Sequence, residues 1–111
     1  MPNVYVPQMP SRFDLGIRAW VPTVNMAPAN AYGEVIVMLP PEANRLDLTP
    51  LVEILKSKMS TFTSSDYIVA VGDPSLLAIA CCIASQKTHG FIRMLKWDRN
   101  ATDYIPVVFW V

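Results

Sequence analysis

Val71-Gly72-Asp73-Pro74 is the stretch of this chain best placed to hold a ligand. It follows an apolar run and precedes a helical pattern. The carboxyl end of a parallel strand, beside a helix N-terminus, is where open α/β sheets take small ligands. The chemistry would be binding of a small anion or nucleotide by Gly72 and Asp73. Three features weigh against it. There is one glycine rather than a glycine-rich loop, and no Lys-Ser/Thr pair follows as in a phosphate-binding loop. Asp73 also puts a carboxylate where a phosphate would sit. The alternative is purely structural: a strand-to-helix turn with Asp73 as the N-cap and Pro74 at the first helical position. That alternative is the favoured one.

Other chemistry-bearing residues are few. Cys81 and Cys82 are the only cysteines. As thiolates they could be nucleophiles or metal ligands, but a mid-helix position raises a thiol pKa and denies access. Small core residues are the preferred reading. His89 is the only histidine, too little for a Cys/His metal set. Paired with Asp73 it would be an acid–base couple, but the two bracket opposite ends of one helix, about 20 Å apart at 1.5 Å rise per residue. Arg93, Lys96, Trp97, Arg99 and Tyr104 combine cations with aromatics near one hairpin, a stacking surface for single-stranded nucleic acid. Zero formal net charge and a pI near 6.5 favour a plain edge hairpin with solvated charges instead. No cofactor or metal is implied.

These residues need elements to position them. Tyr67-Ile68-Val69-Ala70-Val71 is a continuous apolar run with β-branched residues, as in a strand covered on both faces. A helix over 75–87 follows. It is apolar nearly all the way round until Ser85, which predicts burial on more than one side. Gly90 fits the position after its last turn. Residues 34–39 give a second buried-strand pattern, closed by Pro40-Pro41. Thr49-Pro50 reads as a cap followed by the start of an amphipathic helix over 50–60. Residues 91–97 and 104–110 read as strands joined by a polar loop over 98–103, with Pro106 confining the second to an edge or a bulge. Five of the ten prolines fall in 1–31. That part reads as an extended arm, or as short edge strands at 4–6 and 17–21 with a turn at 14–16.

Strands alternating with helices indicate a parallel sheet with right-handed crossovers. The expected fold is one α/β domain over 1–111, a small sandwich of two or three layers. Its centre is a parallel β-α-β-α-β unit built on 34–39, 67–71 and 91–97, with a C-terminal antiparallel hairpin. The 111 residues can bury a core without staples. The adjacent cysteines form no disulfide framework and suggest a reducing compartment. No signal peptide is visible at MPNVYVPQMP, and no apolar run approaches the ~20 residues of a membrane span.

Tyr67-Ile68-Val69-Ala70-Val71-Gly72-Asp73-Pro74, the Ala-rich helix after it, and Leu95-Lys96-Trp97-Asp98-Arg99 with Tyr104-Ile105-Pro106-Val107 carry a resemblance. From about Tyr32 onward the chain resembles a group of small proteins encoded by tailed bacteriophages. The resemblance implies a phage origin and action in the cytoplasm of a bacterial host. It implies no activity.

With no catalytic set and 52% hydrophobic residues, the expectation is a non-enzymatic interaction protein. It would form a homodimer and bind a host or viral macromolecule, with no membrane association. A small nucleotide- or anion-binding domain at Gly72 and Asp73 is the alternative from another class. Weak single-strand binding by the 93–104 hairpin is the third. Dimer contacts are expected on the outer surface of the second helix, at Leu77, Ala78, Cys81, Cys82 and Ser85, where small residues allow close approach. Pairing through the 104–110 edge is the less favoured route.

Overall fold

Val4, Tyr5 and Val6 are apolar on both sides of a strand, and they form its innermost part. In the computed structural model, which describes Met1–Val111, β1 (Asn3–Gln8) lies between β4 (Glu34–Leu39) and β5 (Tyr67–Val69). The five-stranded sheet has the order β4-β1-β5-β6-β7, with β6 at Phe91–Asp98 and β7 at Asp103–Trp110. The first four strands are parallel and β7 is antiparallel to β6. The parallel β-α-β-α-β unit and the C-terminal hairpin are therefore as the sequence indicates, but 34–39, expected at the centre, is an edge strand because β1 takes the place beside β5.

The position of β1 corrects the expectation of an edge strand or an arm at the N-terminus. Val4 pairs with both Val35 and Tyr67, and Tyr5 with both Ile36 and Ile68. Pro7 lies beyond the last residue paired to β5, so the amide it lacks costs little in the sheet interior. Two features seat the strand. Asp66, itself buried, accepts from the Asn3 amide at 2.9 Å and from the Thr63 amide at 2.8 Å. Gly33 makes room: a Cβ there would stand 2.1 Å from the Pro2 carbonyl oxygen.

The rest of the N-terminal part is a separate hairpin, β2 (Ser11–Asp14) and β3 (Ala19–Pro22), followed by a short 3-10 helix at Ala27–Ala31. Asp14 turns the hairpin, its Oδ1 accepting from the Gly16 amide at 2.8 Å.

Both α-helices cover one face of the sheet. α1 (Leu48–Lys58) and α2 (Pro74–Thr88) enclose a core that includes Tyr5, Leu55, Met59, Ile68, Leu76 and Ile92. The opposite face is covered only in part. There the segment around Met26 and Ala29 packs on Val4, Val6, Val69, Leu95 and Tyr104.

Some boundaries differ from the sequence reading. β5 stops at Val69, because the Val71 amide folds back onto the Val69 carbonyl at 3.0 Å. α1 begins at Leu48. Asp47 is its N-cap residue and makes no side-chain bond there, so Thr49-Pro50 lies inside the first turn rather than capping it. At the end of α2, His89 is the first residue to go left-handed, with φ 55°, one before Gly90.

Candidate functional site

The carboxyl ends of β1, β4 and β5 meet at one crevice. β1 ends at Gln8, Pro40-Pro41 follow β4, and Gly72-Asp73-Pro74 lead into α2. Gly72 has φ 85°, a left-handed value, and a Cβ there would come within 3.1 Å of the Gln8 carbonyl oxygen. Glycine is needed for both reasons. Asp73 caps α2 as the sequence indicates: its Oδ2 accepts from the Ser75 amide at 3.1 Å. The crevice encloses about 380 Å³ and is lined mainly by polar groups, among them Gln8, Arg45 and Asp73. Trp20, at the tip of the β2–β3 hairpin's second strand, forms part of its wall.

Gln8 is only 5% exposed. Its Nε2 donates to the Pro40 carbonyl at 2.8 Å, which fixes the orientation of the amide. The one ion pair in the molecule is Lys56–Glu53, on the surface of α1 at 3.9 Å. Arg45 and Asp73 thus border the same crevice with opposite charges, neither of them paired. Gly72 and Asp73 were legible as candidates. Gln8, Trp20 and Arg45 were not, because they lie on three other segments and no local spacing links them to the turn.

The α2 residues proposed as contacts divide between two surroundings. Leu76, Ala80, Ile83 and Ala84 form the buried stripe. Leu77 and Cys81 are half-buried and pack at the rim of the core, and Ser85 is half-buried as well. Ala78 and Cys82 are exposed. The reading of both cysteines as core residues is corrected: Cys81 is half-buried and Cys82 faces outward. One sheet covers one side of a helix, and nothing in the chain covers the other. Burial, reinforced by the neighbouring Cys82, pushes the Cys81 thiol pKa up. Both cysteines border a shallow apolar recess of about 300 Å³, completed by Ile92, Phe109 and Val111.

The hairpin residues do not share one surface. Side chains alternate between faces along a strand. Arg93, Leu95 and Trp97 point to the face with Tyr104, while Lys96 points to the helix side with Ile92. Tyr104 is 2% exposed, and burial raises its hydroxyl pKa. Its ring meets Trp97 edge-on at 5.1 Å. A ring so buried offers no face to a base. Arg99 lies in the turn between β6 and β7. The Arg93 guanidinium sits over the rings of Tyr67 and Phe91, at 5.8 and 5.6 Å, and its Nε is buried without a partner.

No group of three or more His, Cys, Asp or Glu side chains comes together to hold a metal ion. No helix is long and apolar enough to cross a membrane.

The family model of the phage Pam3 gp32-like protein matches residues 2–111. No curated protein and no solved structure matches the chain. The likeness to phage proteins noted from Tyr32 onward thus extends back through β1, an interior strand of the sheet. The chain belongs to the phage Pam3 gp32-like protein family.

Proposed function

We propose that this phage protein acts without catalysis, as a homodimer that binds a host or viral macromolecule in the cytoplasm of the infected bacterium. The observation that carries the reading is the apolar outer half of β7, left bare on the Tyr104 face and, beside α2, on the helix face. Val108 is 60% exposed and Trp110 72%. Phe109 and Val111 lie beside Cys81 and Cys82 on the helix side. No charge occurs from Tyr104 to Val111. An edge strand left to solvent normally carries charges or other features that block further pairing.

The open part of that edge can be located. The Val111 amide donates to the Gly90 carbonyl at 2.8 Å. In an antiparallel ladder the direction alternates, so odd-numbered amides of β7 point to β6 and even-numbered ones point outward. Pro106 falls in the outward set, where its missing N–H breaks no bond to β6. The outward groups of Tyr104 are already satisfied, its amide by Asp103 Oδ1 and its carbonyl by the Tyr32 hydroxyl, each at 2.8 Å. Val108 and Trp110 remain open. An uncharged strand with this pattern suits a second copy of itself. A two-fold axis at Phe109 would pair Val108 with Trp110 of the partner subunit. Both phenylalanines would then lie on the helix side, next to the exposed strip of Ala78 and Cys82. Helix and strand routes thus belong to one surface. A stable interface needs about 800 Å² per partner, more than the edge alone offers, so both parts are required.

Light scattering at micromolar concentration is the test. The expected mass is about twice the 12.4 kDa of the chain. Phe109→Asp and Val108→Lys should each give a folded monomer. A wild-type protein that is monomeric at that concentration sinks the proposal. The macromolecular partner is sought by capture on the dimer and on the Phe109→Asp monomer in parallel, and a partner of the dimeric form should be retained only by the first.

A further inference from the structure

We infer that the crevice at the ends of β1 and β5 is a binding site for a nucleoside monophosphate. The inference is independent of self-association, since the crevice lies at the other end of the sheet's covered half.

Topology gives the first reason. The connection leaving β1 runs over the face with Met26 and Ala29 to β4 on one side. The connection leaving β5 is α2, on the opposite face, and it leads to β6 on the other side. The two connections diverge between β1 and β5. That is the switch point of an open sheet, where the strands' carboxyl ends leave a gap that ligands fill.

The groups in the gap give the second reason. Gln8 is 95% buried, and its Nε2 is committed to the Pro40 carbonyl. Its Oε1 accepts no hydrogen bond from the protein, yet the residue lines the cavity. That oxygen is open to the crevice and is an acceptor free to take a ligand's donor. Asp73, half-buried at the rim, also keeps one oxygen free. Oδ2 caps α2 and Oδ1 has no partner. Two acceptors therefore face a ligand that carries donors, such as ribose hydroxyls and a base amine.

Trp20 and Arg45 set the remaining chemistry. The indole is held edge-on by Phe13, with centroids 5.5 Å apart and planes at 73°, and it stays 42% exposed beside the crevice. It is an aromatic platform on which a base can stack. Arg45 is an unpaired guanidinium on the facing loop, and it borders both this cavity and an adjoining one of about 630 Å³. It matches one phosphate. The amino end of α2 is closed to a second, because the Asp73 carboxylate occupies it. One cation beside one carboxylate selects a monophosphate over a di- or triphosphate.

Calorimetric titration of the full chain with AMP, GMP, CMP and UMP tests the inference, with adenosine and inorganic phosphate as controls. At least one monophosphate should bind in the micromolar to low-millimolar range. Arg45→Met and removal of the phosphate should each weaken binding about tenfold, the loss expected of one charge-assisted contact. Trp20→Phe should retain binding and Trp20→Ala should lose it. Asp73→Asn should weaken binding without lowering the melting temperature, since asparagine caps as well. No binding of any of the four at millimolar concentration overturns the inference. Equal affinity for inorganic phosphate, or binding unchanged in Arg45→Met, overturns it as well.

Discussion

β1 and β7 are built from nearly the same words. One contains Val4-Tyr5-Val6-Pro7 and the other Tyr104-Ile105-Pro106-Val107, each a run of β-branched and aromatic residues interrupted by a proline. β1 becomes an interior strand, buried along almost its whole length, whereas β7 is an edge with only Tyr104 buried. Local sequence does not separate the two cases. What separates them is what the chain lays over each. β1 lies under both α-helices on one side and under the Met26–Ala29 segment on the other. β7 has neither cover beyond Tyr104. An apolar strand that its own chain leaves bare is what the proposed second copy would cover.

The largest effect should come from cutting into β1. Tyr5 is fully buried and packs against Phe62, ring centres 5.3 Å apart. Tyr5→Ala should cost about 3–5 kcal/mol, as aromatic-to-alanine changes in cores do. Trp110→Ala on β7 should stay within about 0.5 kcal/mol in dilute protein, as for exposed positions. Urea denaturation of both variants makes the comparison. Similar losses in dilute protein would mean that β7 is covered within the monomer.

Next in size is the tether that holds β1 in place. Asp66 accepts amide bonds from both Asn3 and Thr63. Asp66→Ala removes the buried carboxylate that both part-buried amide bonds share and should cost about 1–3 kcal/mol. Amide exchange would show whether the loss falls on β1 as expected, with faster exchange at Val4 and Tyr5 than at β6. Uniform acceleration would mean that Asp66 does no more than support the whole fold.

The cap at Asp73 is worth less. Asp73→Ala should lower stability by about 1 kcal/mol and Asp73→Asn should be nearly neutral. Thermal melts of the two decide it, and equal losses would show that charge rather than capping matters at the head of α2.

How much of this was legible follows from the range of the signals. The helices, the three later parallel strands, the Asp73 cap and the edge position of β7 all rest on local patterning, and they are present as read apart from the end of β5 and the start of α1. The role of β1 was not legible, because Pro7 interrupts it, Pro10 and a separate hairpin follow it, and its partners lie about thirty and sixty residues away at Val35 and Tyr67. Gln8, Trp20 and Arg45 were missed for the same reason. Cys82 was misread because a helix without a polar face looks buried all round. Alanine and cysteine are small enough to be left at a surface without a large apolar area, and that is where Ala78 and Cys82 lie.

The smallest effect in energy is the most direct probe of the bare surface. Cys81 and Cys82 are adjacent, so they sample the two sides of one helical step. Cys81 is half-buried with its pKa raised by burial, and the thiolate is the species that reacts with alkylating agents. Cys82 is exposed. At low protein concentration and neutral pH, iodoacetamide should modify Cys82 first and Cys81 slowly. Raising the concentration through the dimerisation range should then protect Cys82, because it borders the recess with Phe109 that the second copy would close. In Phe109→Asp the protection should vanish while the order of the two cysteines stays. A Cys82 rate that is independent of concentration in a protein shown to be dimeric would move the interface off α2 and onto the β7 edge alone.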